Sequence, residues 1–121
     1  MNSNGKVNQL IMQLLRDTSE GNVNWFHSEP PRYLSYATDD VIAAFFRAQY
    51  GAVEVAVYEV RYKYFHDEEA YSWSSEARFA ILQGENVVLD LRSTSPALAN
   101  LFGLVRSRAN GLDSILDSLL K

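Results

Sequence analysis

Apolar residues near the start of the chain fall on one face of a predicted helix. They recur at the i, i+3, i+4, i+7, i+8 spacing and are Val7, Leu10, Ile11, Leu14 and Leu15. This spacing is typical of an amphipathic helix with one buried face. The polar run over residues 17–22 follows, and it contains Gly21, which suits a left-handed C-terminal cap. We therefore predict a first helix that ends in this run.

Two further apolar stripes with helical spacing lie in the C-terminal part of the chain. Ser95 suits an N-cap and Pro96 suits the first helical position. The stripe that follows consists of Leu98, Leu101, Phe102 and Val105. Asn110 and Gly111 then interrupt the helix. A second stripe, which we call the C-terminal stripe, consists of Leu112, Ile115, Leu116, Leu119 and Leu120. The pattern predicts two C-terminal helices.

Between these helices the pattern changes to short β-prone segments. Residues 24–27 predict a short strand. Residues 32–37 predict a second strand, because Tyr33 and Tyr36 favour a pleated surface.

Residues 41–49 fit both a helix and a strand. Thr38 as an N-cap, two aspartates in the first turn and Gly51 as a stop favour a helix. The β-branched and aromatic residues that suit a strand buried on both faces are Val41, Ile42, Phe45 and Phe46. Local signals alone lean towards the helix.

Residues 53–83 predict a long β-hairpin around an acidic turn. With His66 facing Tyr71 and a four-residue loop between them, one face pairs opposite charges and the other forms an apolar strip. The charge pairs are Arg61 with Glu76 and Glu59 with Arg78. The apolar pairs are Tyr64 with Trp73, Val60 with Ala77, Tyr58 with Phe79, and Ala56 with Ile81. A slip by one residue would exchange the two faces, so we expect this register and a buried Trp73.

In that register an apolar patch is left on the charged face at the far end of the hairpin. It is the valine patch, Val53, Val55 and Val57, with Ala80 and Leu82 beside it. Such a patch needs a cover. We expect the next turn to be a three-residue loop over residues 84–86. It places Val87, Leu89 and Leu91 on the inner face and Val88, Asp90 and Arg92 outside.

These elements predict one α+β domain over residues 1–121: an N-terminal helix, a mainly antiparallel β-meander and a C-terminal helix pair packed on one face. Two segments, GNVNW at residues 21–25 and LFGLVRSRANGLDSILDSLL at residues 101–120, carry a resemblance. The chain resembles small uncharacterised bacterial α+β proteins with a Gly-x-x-x-Trp element after the first helix and a Leu-rich tail. The resemblance implies that residues 41–49 are a strand of the meander, which we adopt. It implies no activity.

Composition limits the classes of partner. The net charge is −4, which argues against nucleic-acid binding, because that depends on clustered Lys and Arg. The chain has no cysteine, which excludes disulfides and thiolate zinc sites. It also has no run of about 18 apolar residues and no signal-peptide pattern at its start. We expect a cytoplasmic protein without a membrane or nucleic-acid partner.

Candidate chemical sites have simpler structural explanations. The run His66–Glu69 carries metal-ligating atoms, but no second histidine lies at ligand spacing, so a solvated acidic turn is favoured. His27 beside Glu29 shows no orienting partner. The chain lacks a Gly-x-Ser-x-Gly elbow and a Gly-rich phosphate loop. We expect no catalytic residue, no cofactor and no metal, and enzymatic activity stays open with the balance against it.

Two groups of residues could bind a ligand. Tyr58, Tyr62, Tyr64 and Trp73 could stack nucleobases, but the predicted register buries them, so core packing is favoured. Arg106 and Arg108 could bind a carboxylate or stabilise the end of their helix, and the second role is favoured.

The surplus of apolar stripes suggests two functions. Stripes beyond what one core can hide mark an interface, which favours a non-catalytic interaction module, adaptor, chaperone-like or immunity-like, that forms a homodimer. The candidate interface is the valine patch with the C-terminal stripe. The alternative is a small-molecule-binding or hydrolytic domain with an aromatic pocket between sheet and helix.

Overall fold

The computed structural model describes residues 3–35, 40–84, 86–92 and 95–120. In chain order the elements are α1 (Ser3–Ser19), β1 (Phe26–His27), α2 (Arg32–Ser35), β2 (Val41–Tyr50), β3 (Val53–Phe65), β4 (Tyr71–Gln83), β5 (Asn86–Arg92), α3 (Pro96–Ala109) and α4 (Leu112–Leu119). The five strands form one antiparallel sheet in the order β1-β2-β3-β4-β5. The predicted α+β class, with an N-terminal helix, a meander and two C-terminal helices, is confirmed.

Helices α1 and α3 pack on one side of the sheet, which we call the helix face. The stripes predicted from helical spacing supply their buried side chains. The main buried residues of this core are Ile11, Leu14, Phe46, Val55, Val57, Phe79, Leu98, Leu101 and Val105. The valine patch therefore does have a cover, and the cover comes from helices of the same chain.

Capping groups set the ends of the helices as the sequence predicts. The Ser95 hydroxyl accepts a hydrogen bond from the backbone N–H of Ala97, and Pro96 takes the first position of α3. Between α3 and α4 the backbone of Gly111 has φ 68°, a left-handed conformation that glycine adopts without steric cost. At the end of α1 the buried Thr18 accepts a 3.0 Å hydrogen bond from the indole of Trp25. This bond ties the first helix to the chain that leads into β1.

The structure of residues 32–35 differs from the prediction, and the structure of residues 41–50 decides between the helix and the strand that the sequence allows there. Residues 32–35 form the short helix α2 instead of a strand, and residues 36 and 37 lie outside the described residues. The backbone N–H of Leu34 donates to the carbonyl of Pro31, whose fixed φ favours the start of a helical turn. Residues 41–50 form β2, so the strand implied by the resemblance is the conformation that the chain adopts.

The register of β3 and β4 is one residue away from the predicted one. Phe65 pairs with Tyr71, and Tyr64 pairs with Ser72 instead of Trp73. The predicted pairs Arg61–Glu76 and Glu59–Arg78 are wrong, because the observed partners of the two basic residues are Ser75 and Tyr58.

The cause of the shift is the turn. The carboxylate of Asp67 accepts two 2.8 Å hydrogen bonds, from the backbone N–H groups of Glu69 and Ala70. The N–H of His66 donates to the carbonyl of Ala70. This local cage closes a three-residue loop in place of the expected four-residue loop.

The other side of the sheet, the opposite face, has a core of its own. Its buried residues are Phe45, Ala56, Tyr58, Val60, Ala80 and Leu82, with Leu34, Ile42 and Val87 packed against them. Buried residues thus follow one another without a gap along Val55–Tyr58 of β3. The strand is enclosed from both sides at its centre.

The β4–β5 connection also differs from the prediction. Gln83 pairs with Asn86, so the three-residue loop over residues 84–86 is wrong. An irregularity follows, since Ile81 pairs with Leu89 and the next residue of β4 pairs with Val87. Val87 consequently lies on the opposite face, whereas Leu89 packs in the helix-face core as expected.

Candidate functional site

Strands β3 and β4 extend beyond their neighbours in the sheet. Among the residues that the structure describes, β2 pairs with β3 as far as Arg61 and β5 pairs with β4 as far as Arg78. Residues 62–74 therefore form a two-stranded projection that we call the ribbon. Two strands alone are marginally stable in water, so the ribbon depends on the sheet that holds its base.

The helix-face side of the ribbon carries an exposed aromatic cluster. Lys63 pairs with Trp73 and Phe65 pairs with Tyr71, which places these four side chains, the aromatic platform, on one side. The Phe65 and Tyr71 ring centroids are 5.6 Å apart, and those of Tyr71 and Trp73 are 6.3 Å apart. The Lys63 ammonium lies 4.8 Å from the Tyr71 ring and 5.8 Å from the Trp73 ring, in cation–π range.

Trp73 is 52% exposed, so the prediction that it is buried is wrong. The fold also divides the four aromatic residues that were candidates for nucleobase stacking but were expected to pack in the core. Tyr58 is buried in the opposite-face core, and Tyr64 is exposed on the side of the ribbon away from Trp73. Lys63 and Arg61 lie on the same side as Trp73, whereas the predicted register had placed the cations behind the aromatic rings. The length of the hairpin strands could have indicated the exposure of Trp73, because these strands are longer than any strand beside them.

A depression of about 610 Å³ lies at the base of the ribbon. It is lined by Val41, Arg61, Trp73, Ser74 and Ser75. Ser75 also lines a second depression of about 330 Å³ under the start of α3, with Ala99 and Phe102 among its walls. The two depressions therefore adjoin. Arg61 is largely exposed, and a carboxylate oxygen of Glu59 is 3.9 Å away.

The C-terminal stripe lies on α4 and is open to solvent. Ile115 and Leu116 are about half exposed, and Leu119 and Leu120 are 71% and 75% exposed. The side chain of Leu112 lies outside the described residues. The main contact of α4 is with α3. The valine patch does not join this surface, because Val55 and Val57 are buried in the core and Val53 is half-buried.

The predicted basic and histidine sites have structural partners. Arg106 lies over the Phe102 ring, and Arg108 donates a 3.0 Å hydrogen bond to the Ser19 carbonyl, which links α3 to α1. His27 packs edge-on against Phe46. Among the described residues, no three metal-ligating side chains converge. None of the described helices combines the length and apolarity that crossing a membrane requires.

A serine–histidine pair occurs at the ribbon. The imidazole Nε2 of His66 is 3.0 Å from the Ser72 hydroxyl, and its ring packs edge-on against Tyr64. Nucleophilic catalysis also needs a group that orients the imidazole and a site that stabilises an oxyanion. The neighbouring Asp67 carboxylate is occupied by two backbone N–H groups, which lower its pKa. Both residues of the pair are exposed, and their contact joins the turn of the ribbon to the start of β4.

A polar network crosses the opposite face. Arg78 donates two hydrogen bonds, of 2.8 and 2.9 Å, to one carboxylate oxygen of Glu76. Arg92 reaches the same oxygen at 3.2 Å, and Asp40 lies 3.8 Å from Arg78. Tyr58 donates a hydrogen bond to Asp90 in the same region. The polar groups of this network bind one another, which is typical of a network that stabilises the fold.

We expect the stability of the protein to fall as the pH rises above about 10. Burial, followed by the hydrogen bond to Asp90, raises the pKa of the Tyr58 hydroxyl above the ordinary value of 10.0. Tyrosine in the unfolded chain ionises near that value, so the contribution is complete below pH 10 and is lost as the pH rises. The loss is about 1.4 kcal/mol per pH unit.

Urea denaturation between about pH 8 and 11 measures this slope. The matched variant Tyr58→Phe should be less stable at neutral pH and should lose stability less steeply with pH. Parallel pH profiles for the two chains would show that Tyr58 ionises in the folded state as it does in the unfolded chain.

Comparisons of the chain with protein-family models, with curated protein sequences and with solved structures gave no match, so its function has to be inferred from the surfaces described above.

Proposed function

We propose that the protein is a non-catalytic interaction module that forms a homodimer through the C-terminal stripe. The observation that carries the proposal is the exposure of three large apolar side chains in one short terminal helix and of Leu120 directly after it. Helix α4, which carries the stripe, follows Gly111 and contacts mainly α3. The stripe can therefore bind a partner without disturbing the core. Closed two-fold association is the commonest way for identical chains to bury such a surface.

The energetic argument for a partner is the free energy gained when the apolar side chains of the stripe are removed from water. Complete burial of a leucine or isoleucine side chain is worth about 1.5–3 kcal/mol. These side chains start half exposed or more, so a partner that buries them gains a substantial part of that value for each. A helix of eight residues is only about 12 Å long, however, and a specific interface buries at least about 1,000 Å². More of the protein must therefore contribute to the interface than the stripe alone.

The mass of the protein in solution tests the proposal. At about 10 µM, where a micromolar Kd still populates a dimer, sedimentation equilibrium of the intact chain should give twice 13.7 kDa. The variant Leu116→Glu/Leu119→Glu places two charges in the stripe and should give the monomer mass. Ser114→Glu adds a charge elsewhere on α4 and should leave the dimer unchanged.

Two outcomes would contradict the proposal in different ways. A monomeric intact chain would reject the homodimer. A chain that ends at Asn110 and stays dimeric would place the interface away from the stripe.

A second candidate function rests on the depression beside Trp73. Its volume lies within the range of about 300–1,000 Å³ that is usual for small-molecule sites. Arg61 and the serine hydroxyls would suit a small carboxylate with an apolar body. If this candidate is right, the chain is monomeric, and phenylacetate, a carboxylate with an apolar body but no indole ring, changes the emission of Trp73. The homodimer is preferred because it also accounts for the stripe.

A further inference from the structure

We infer that the C-terminal stripe of one copy docks on the aromatic platform of a second copy, and that the second copy does the same in return. The inference rests on the proposed homodimer and names the surface that the stripe binds. The dimer then has two identical stripe-to-platform contacts related by one two-fold axis.

The positions of the two surfaces suit this exchange. The start of α3 lies near the base of the ribbon, where its N-cap Ser95 and Ser75 of β4 line the same depression. The end of α3 lies near the end of α1, because Arg108 binds the Ser19 carbonyl. Tyr50, at the end of the sheet away from the ribbon, binds Asp17 of α1. Helix α4 therefore begins at the end of the molecule opposite the ribbon, about 21 Å away along the 14 residues of α3.

That separation decides between a contact within one chain and a contact between two. The eight residues of α4 span only about 12 Å, which is too short to reach the platform of the same chain. Two copies in antiparallel orientation bring the start of each α4 to the ribbon of the other copy. A dimer with one two-fold axis therefore buries the stripe and the platform of both copies and leaves neither surface free to bind a third copy.

The chemistry of the two surfaces is complementary. The stripe presents Ile115 and Leu119 one turn apart on α4 with Leu116 beside them, and an apolar helix face of this kind can dock in a groove. The platform and the depression at its base offer aromatic rings and an apolar wall at Val41. The charges are opposite: α4 carries Asp117, and the platform side of the sheet carries Arg61 and Lys63. Two chains of net charge −4 repel each other, so a local pairing of opposite charges is needed to orient them.

The buried area is also adequate. An aromatic side chain buries about 150–250 Å² when fully enclosed, and the three platform rings are roughly half exposed. With the stripe residues that meet them, and with the contact made twice, the total reaches the range of about 1,200–2,000 Å² of a specific interface. A single contact between two α4 helices would bury less.

A mixing experiment distinguishes this arrangement from a contact between two stripes. The first variant, Leu116→Glu/Leu119→Glu, has a broken stripe and an intact platform. The second, Tyr71→Glu/Trp73→Glu, has an intact stripe and a broken platform. Each alone should dimerise about 30-fold more weakly or worse, as for an interface hot spot. An equimolar mixture keeps one good contact and should give dimer at a concentration where neither variant does.

The control is Tyr64→Glu, which adds a charge to the other side of the same ribbon and should leave the dimer intact. If the platform variant is folded and stays dimeric while the stripe variant is monomeric, the homodimer is upheld and the platform is rejected as its partner surface. If the intact chain is monomeric, both proposals fail.

Tryptophan fluorescence of the intact chain supplies a readout that needs no variant. Trp25 is buried and hydrogen-bonded to Thr18. Fluorescence quenching by a low concentration of acrylamide therefore reports mainly on Trp73. Quenching should fall about two-fold or more as the chain dimerises and should not change for the stripe variant. Unchanged quenching in a dimer would overturn the inference. Quenching of Trp73 by a thymidine oligonucleotide at micromolar concentration would overturn it in favour of a nucleic-acid occupant.

Discussion

The substitution Phe79→Ala is expected to lower the free energy of unfolding by about 3–5 kcal/mol, the usual cost of removing a fully buried phenylalanine ring. Phe79 has no exposed surface. It pairs with Val57 on one side and Leu91 on the other, under the helices of the helix face. Removal of the ring leaves a cavity that these rigid neighbours cannot fill. Urea denaturation measures the loss.

The matched control is Phe26→Ala, which removes the same ring from β1. Phe26 is 48% exposed, so the loss should stay below about 1.5 kcal/mol. Comparable losses for the two variants would mean that the centre of the helix face is not the main core of the protein.

Removal of the Arg78 guanidinium should also be costly. The side chain is 11% exposed and holds the Glu76 carboxylate, which is 17% exposed. Without Arg78 that carboxylate stays largely out of water with only the longer contact to Arg92. We expect Arg78→Ala to lower the free energy of unfolding by about 2–4 kcal/mol, slightly less than for a completely buried pair.

Arg16→Ala provides the comparison for this loss. Arg16 is largely exposed and lies 4.0 Å from Asp17, so its removal should cost less than about 1 kcal/mol. If Arg78→Ala costs no more than Arg16→Ala, water solvates Glu76 well enough to replace the guanidinium. The difference between the variants is best measured at neutral pH.

Helical periodicity was sufficient to predict α1, α3 and α4, because each carries its apolar residues at helical spacing. The stripe residues of α1 and α3 form the core that their spacing indicates. The β propensity of Tyr33 and Tyr36 predicts a strand over residues 32–37, but over residues 32–35 the turn that starts at Pro31 outweighs that propensity. A preference of a few tenths of a kcal/mol does not decide the structure of so short a segment.

The register of the hairpin could not be predicted, and the reason is physical. Alternation identifies the inner face of a strand only where one side is solvated, and Val55–Tyr58 of β3 are buried on both sides. The proposed charge pairs are worth only about 0.2–1 kcal/mol each. The turn decides instead, through two backbone N–H groups that bind the Asp67 carboxylate.

The platform was missed for the same reason. A shift of one residue moves Trp73 from the predicted core strip to the side of the ribbon that carries Lys63. The exposure of the C-terminal stripe, in contrast, could be anticipated, because the core had no room for a third helical stripe on one sheet face. Its function as an interface remains a prediction.

The irregular pairing of β5 has a consequence for aggregation. As an outermost strand, β5 has backbone groups on one edge that could template the addition of a strand from another molecule. The bulge at Val88 disrupts the regular spacing of those groups, and Asp90 and Arg92 place charges along the strand. Both features are known to discourage edge-to-edge growth. Variants that regularise β5 by deleting Val88 should therefore form β-rich aggregates more readily than the intact chain.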